Sequence, residues 1–220
     1  MRLKTGIKHA FESKRLCGAF LACDQELKIV SIYMDVDVSQ TEMPGVLVLV
    51  PQVFTDERGF FTETYHKGKL AEKGIALDFV QDNHARSRRN VIRGFHYQAG
   101  TGAQWRLIRC TVGEVWDVVV NIKFGSPHFG KWFAVKLSSD NRKQLLIPPE
   151  FAHGYAVLSE DAEVQYKCTA HHQPGVERCL AWNDPDVAVT WPISDPIVSN
   201  KDRSSGQSLK NYAGRPDFVA

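Results

Sequence analysis

The sequence predicts an all-β domain, an antiparallel sandwich or barrel with short peripheral helices. From Gly45 onward, short runs rich in β-branched and aromatic residues recur at fairly regular spacing, and turn residues separate them. Within that core, residues 67–74 are the one stretch with helical character.

The predicted strands cover 46–50, 59–65, 79–83, 91–97, 105–112, 114–122, 132–137, 144–147, 154–158 and 163–169. Asp56-Glu57-Arg58-Gly59 makes the turn into the second, Phe124-Gly125-Ser126-Pro127 follows the sixth, and Pro148-Pro149 ends the eighth. The sixth is almost wholly apolar apart from Asp117 and Asn121, as a strand buried on both faces would be. Residues 1–33 show no sustained period and read as an N-terminal extension, with room for a short amphipathic helix. Residues 34–192 read as the barrel domain. Beyond Trp191-Pro192 the chain turns polar, so 193–220 reads as a peripheral tail making one or two contacts.

Composition narrows the function. The 220 residues are 43% hydrophobic and 24% charged, which fits one compact domain with a sizeable core. Lys plus Arg number 27 against 25 acidic residues, so the net charge of +2 gives no field that draws nucleic acid or an anionic membrane. The basic cluster Arg86, Arg88, Arg89 reads as a solvated loop, because no base-stacking aromatics interleave with it. Five cysteines (Cys17, Cys23, Cys110, Cys168, Cys179) are odd in number and lack C-x-x-C spacing, which disfavours disulfides and a zinc site and favours a reducing cytoplasm. No apolar run reaches the roughly 18 residues of a membrane span. The apolar segment 16–23 is too short for a secretory leader, and Glu12 interrupts its basic flank.

The densest polar constellation is Gln81-Asp82-Asn83 followed by Arg93-Gly94-Phe95-His96-Tyr97-Gln98. Alternate residues of a strand share a face, so Gln81 joins Asn83, and His96 joins Gln98. A lone histidine there would read as a satisfied core residue; His96 has polar company. A barrel metal site of the His-x-His type lacks its second ligand, since Tyr97 and Gln98 follow His96, and His171-His172 point to opposite faces if on a strand. No metal and no cofactor are expected.

Six further runs join this constellation. They are Phe54-x-Asp56-x-Arg58-Gly59-x-Phe61-x-Glu63, Phe79-Val80-Gln81-Asp82-Asn83, Gly125-Ser126-Pro127, the run 148–154, Tyr166-Lys167-Cys168-Thr169 and Trp182-Asn183-Asp184-Pro185-Asp186. In this order over about residues 43 to 202, the set resembles the dTDP-4-dehydrorhamnose 3,5-epimerase family. The resemblance implies a metal-free, cupin-like jelly-roll barrel, usually a homodimer, acting in deoxysugar biosynthesis on a dTDP-linked keto-sugar. It matches His96 to the family's base, Asp202 to the carboxylate that orients the base, and Tyr166 to the proton donor. It further implies that Arg58, Glu63, Gln81, Asn83, Arg93 and His153 occupy substrate-binding positions; Arg93 lies three residues before His96, on the opposite face of an ideal strand, so a bulge or twist must then bring both to one site.

The chemistry can be argued separately. A C4 ketone acidifies the neighbouring C3 and C5 hydrogens, so epimerisation needs a base, an enolate stabiliser and an acid on the other face. An imidazole, with an ordinary pKa of about 6.5, suits the base, and a tyrosine, ordinarily near 10, stays protonated to act as the acid. Without the resemblance, Arg58 reads equally as a surface turn residue, Asp202 as a solvated carboxylate and Tyr166 as a buried phenol. Two positions depart from the family pattern: Arg106 replaces an enolate-stabilising lysine, and His172 replaces an aromatic residue, usually Tyr, in substrate binding. Arginine retains the charge but does not readily give up a proton. A non-catalytic barrel binding sugar nucleotides or glycans, and a metal-dependent cupin oxygenase, are the alternative readings.

Overall fold

The structure is a computed structural model and describes residues 35–220. The expectations for residues 1–33, with Cys17, Cys23 and the segment 16–23, lie outside the described residues. In chain order the elements are β1 (Val36–Gln40), β2 (Leu47–Pro51), β3 (Val53–Asp56), β4 (Gly59–Thr62), α1 (Lys67–Glu72), β5 (Gln81–Arg88), β6 (Val91–Gln98), β7 (Arg106–Val112), β8 (Glu114–Asn121), β9 (Trp132–Ser138), β10 (Gln144–Ile147), β11 (Phe151–Val157), β12 (Asp161–Cys168), β13 (Glu177–Cys179), β14 (Ile197–Val198), α2 (Asn200–Ser205) and α3 (Leu209–Gly214). Each predicted strand has a counterpart. Arg86 and Arg88 are a correction: they lie on β5 rather than in a loop, where Arg86 pairs with Asp161 of β12 at 3.0 Å.

One sheet has the order β1-β2-β10-β7-β12-β5, and the other the order β13-β6-β11-β8-β9 with β14 added beside β6. Between β5 and β13 every connection except β8 to β9 crosses from one sheet to the other, which is the jelly-roll path. The inward faces meet in a core that includes Ile108, Val164, Val115, Val119, Phe151 and Val157. The other face of the second sheet is covered as well, by Leu180, Val187, Leu209 and Tyr212 packed on Phe95, Tyr97, Val118 and Val120. Strand β8 is therefore buried on both sides, and its almost unbroken apolar run follows from that position.

The segment 193–220 makes far more than the one or two contacts expected of it. Strand β14 pairs in parallel with β6, and Tyr212 is fully buried. Asp184 anchors the return: its carboxylate accepts from the backbone N–H groups of Asp186, Val187 and Leu209. Tyr97 donates to Asp217 at 2.9 Å, fastening the chain end to β6. These ties hold α2 against the sheet that carries His96.

Strand β6 contains the register break that the spacing of Arg93 and His96 required. Against β11, His96 faces His153 and Arg93 faces Tyr155, so three steps on β6 match two on β11. The extra residue turns Arg93 to the face of His96. Gly94 has φ +139, and a Cβ there would lie 2.5 Å from the Gly154 Cα, so neither the backbone angle nor the space admits a side chain. Among the described residues, no helix is long and apolar enough to cross a membrane.

Gly94→Ala is expected to lower stability by at least about 1–3 kcal/mol, the scale of a residue forced into a forbidden backbone region. Equilibrium denaturation measures this, and substrate turnover should fall along with it, because the bulge sets which way Arg93 faces.

Candidate active site

A cavity of about 440 Å³ opens between the two sheets. The first sheet contributes Gln81 and Asn83 from β5, Arg106 from β7 and Tyr166 from β12. Register places these together: Tyr166 stands opposite Asn83 and Ile108, and Cys168 opposite Gln81 and Arg106. The second sheet contributes Arg93, His96 and Gln98 from β6 and His153 and Tyr155 from β11. His172 and Glu177 also line the cavity.

Asp202 Oδ1 lies 2.6 Å from His96 Nε2. Asp202 sits in the first turn of α2, and its N–H donates to the side chain of the N-cap Ser199 at 3.0 Å. Burial works to raise this carboxyl; the hydrogen bond and charge of His96, with donors from Gly94 and Ser199, outweigh it and hold it below the usual carboxylate value. A carboxylate accepts, so the neutral imidazole keeps its proton on Nε2 and carries its lone pair on Nδ1. Asp202 is 4% exposed and His96 opens on the cavity, giving an oriented imidazole with a shielded partner.

Tyr166 faces His96 from the opposite sheet. Burial raises its phenol and Arg106 and Arg93 oppose that, with a net upward shift, so it holds its proton at neutral pH. Arg106 is half-buried. One guanidinium nitrogen donates to the His96 carbonyl at 2.9 Å, while its Nε has no partner. Burial pulls its pKa below the ordinary value, yet a guanidinium remains charged. A fixed cation therefore stands beside His96 and Tyr166.

Other donors are positioned by their neighbours. Arg93 Nε donates to Ser87 Oγ at 2.9 Å. Gln81 donates to Asn83 Oδ1 at 3.1 Å and accepts from the His172 backbone N–H at 2.8 Å. His153 Nε2 lies 3.0 Å from both carboxylate oxygens of Asp117, a second His–Asp pair and a buried one. Burial raises the Asp117 carboxyl, against the opposing effect of His153 and then Arg106.

Two expected site residues are not brought to this cavity by the chain's own fold. Arg58 lies at the turn of the β3–β4 hairpin, which forms a separate two-stranded sheet, and it pairs there with Asp56. Glu63 follows the same hairpin and pairs with Lys69 at 2.7 Å. Conversely, Asp117, Tyr155 and Glu177 escaped the sequence reading as site residues. Asp117 carried a signal, being the one acidic residue in the otherwise apolar core of β8; Glu177 and Tyr155 carried none.

A family model described as dTDP-4-dehydrorhamnose 3,5-epimerase matches residues 40–210. The enzyme of that name from Salmonella typhimurium is 49% identical over 170 residues, 76% of this chain and 93% of its own. The one from Pseudomonas aeruginosa is 50% identical over 163 residues, 73% of this chain and 90% of its own. The crystal structure of a Legionella pneumophila dTDP-6-deoxy-D-glucose-3,5-epimerase in complex with dTDP-4-keto-L-rhamnose superposes with a TM-score of 0.80. It shares 37% identity and covers 84% of this chain and 98% of its own.

The depressed Asp202 carboxyl sets a pH signature. A group held below its unfolded value stabilises the fold fully above the ordinary carboxylate pKa of about 4, and that contribution is lost as pH falls through the folded value. The stability gap between the wild type and Asp202→Asn should be constant near neutrality and close in acid; a gap independent of pH would contradict the assignment.

Proposed function

The chain belongs to the dTDP-4-dehydrorhamnose 3,5-epimerase family, and from that premise we propose that it epimerises a dTDP-4-keto-6-deoxyhexose beside its C4 ketone. The activity places it in deoxysugar biosynthesis as an isomerase. His96 takes the proton on Nδ1, and Asp202 keeps the ring aligned and stabilises the imidazolium that forms. The electrons move onto the ketone oxygen, where Arg106 offers a fixed positive charge to the enolate. Tyr166 then donates its proton to the other face of the planar carbon. The observation that carries this reading is the pairing of an oriented base on one sheet with a protonated phenol on the other, across a single cavity.

Arg93, His153, Gln81, Asn83 and His172 are the proposed ligands of the sugar nucleotide. Arg93 suits an anionic oxygen, since a guanidinium binds it through two parallel donors. We propose a homodimer as the working assembly: Phe60 and Phe61 on the β3–β4 hairpin are 59% and 64% exposed, as residues awaiting a partner surface would be. Arg58 lies on that hairpin. A cytoplasmic location is supported by three free buried cysteines, Cys110, Cys168 and Cys179.

Incubation with dTDP-4-keto-6-deoxyglucose in deuterated water should wash deuterium into C3, and into C5 if both centres react. His96→Ala should slow wash-in by about 10²–10⁴-fold, the usual contribution of a general base. Tyr166→Phe should separate the two steps, because His96 can still remove and return a proton on one face: exchange persists while inversion falls. Sugar-nucleotide binding with no exchange in the wild type would overturn the enzymatic reading.

A further inference from the structure

The His96–Asp202 pair belongs to a second arrangement that epimerisation does not use. Cys179 of β13 stands directly opposite His96 in the β13–β6 register. Its sulfur, a His96 ring nitrogen and an Asp202 carboxylate oxygen all lie within 4.8 Å of one another. Three elements supply the three atoms: β6, β13 and the first turn of α2. Cys179 and Asp202 are buried, at 6% and 4% exposure, while His96 opens on the cavity.

One thiolate, one imidazole and one carboxylate are a soft, a borderline and a hard donor, all three of them zinc ligands, and the sulfur favours a thiophilic ion such as cadmium. We propose that Cys179, His96 and Asp202 form an inhibitory site for a thiophilic divalent cation, held on the Nε2 side of the imidazole. The site rests on this geometry; its inhibitory effect rests on the role of His96 as the base.

A tetrahedral ion with bonds of about 2.0 Å to N and O and about 2.3 Å to S holds its ligands about 3.3–3.5 Å apart. The His96–Asp202 contact must therefore open from 2.6 Å, and the sulfur must move inward from its place within 4.8 Å. The proton balance explains the inhibition. Cys179 releases its proton to solvent, since only the thiolate ligates. The neutral imidazole binds the ion through Nε2 and carries its one proton on Nδ1, the atom that has to be bare to act as base. The cation thus removes the base without blocking the space that the sugar occupies.

The full chain, titrated with Cd²⁺, should develop the ultraviolet thiolate-to-cadmium charge-transfer band and release a proton as it does so. Zn²⁺ should suppress deuterium wash-in. Cys179→Ala and Cys179→Ser should both retain wash-in. Both should lose the band and tolerate Zn²⁺ at concentrations at least about 10–100-fold higher, the range lost when only a ligand's supporting partner is removed. The other four cysteines, Cys17, Cys23, Cys110 and Cys168, serve as internal controls, because a band arising from them would survive in both variants. A band undiminished in both overturns the site. A band that depends on Cys179 while Zn²⁺ leaves wash-in unchanged overturns the inhibitory assignment. Absence of wash-in before any metal is added is a failure of the epimerase reading alone, and the band still decides the site.

Discussion

The close approach of β6 and β11 at Gly94 and Gly154 is the constraint on which the site depends. Two strands whose backbones touch there cannot keep a regular ladder, and the extra residue on β6 reverses its alternation between Arg93 and His96. Without that reversal, the guanidinium would point to the outer face, among the apolar side chains beneath the C-terminal segment. With it, the base and a cation share the cavity wall. A backbone feature with no side chain of its own thereby decides which chemistry faces the substrate.

The second requirement is delivery of Asp202, which is distant in sequence from every other group in the cavity. A carboxylate alone in a polar tail would be solvated and mobile. Here it is held by Ser199 at the helix start, while Asp184, Tyr97 and the buried Tyr212 secure the segment around it. Covering the outer face of the second sheet and positioning the base are thus done by one stretch of chain. This explains why so much apolar surface is committed near the C-terminal end: the tail must be ordered to within hydrogen-bond tolerance, not just attached.

Much of this was legible in the sequence, for identifiable reasons. Runs such as 144–147 and 105–112 were bounded by turn residues and buried on at least one face, so period and punctuation agreed. The bulge followed from the three-residue spacing of Arg93 and His96. Short pieces escaped: β14 has two residues, β13 has three, and β1 carries Asp37 and Ser39 on an exposed edge. Nothing local marks β13 and β14, because their hydrogen-bond partners on β6 lie far along the chain, while β1 pairs with the adjacent β2 but is too polar to read as a strand. Asp117 was visible as an anomaly, but its partner His153 is 36 residues away. Arg58 and Glu63 lie off the cavity within the single chain, since a match names a position and says nothing about which surface the side chain lines.

The proposed base and acid stand on different sheets, so the layer of Ile108, Val119 and Val164 between those sheets is also a spacer. Its thickness determines how far a flattened carbon sits from each proton carrier. Core volume in this protein is therefore a stereochemical variable. A methylene added or removed well away from the substrate would alter the odds that a proton returns to the face it left, and errors of handedness in the product would report on packing before any loss of stability did.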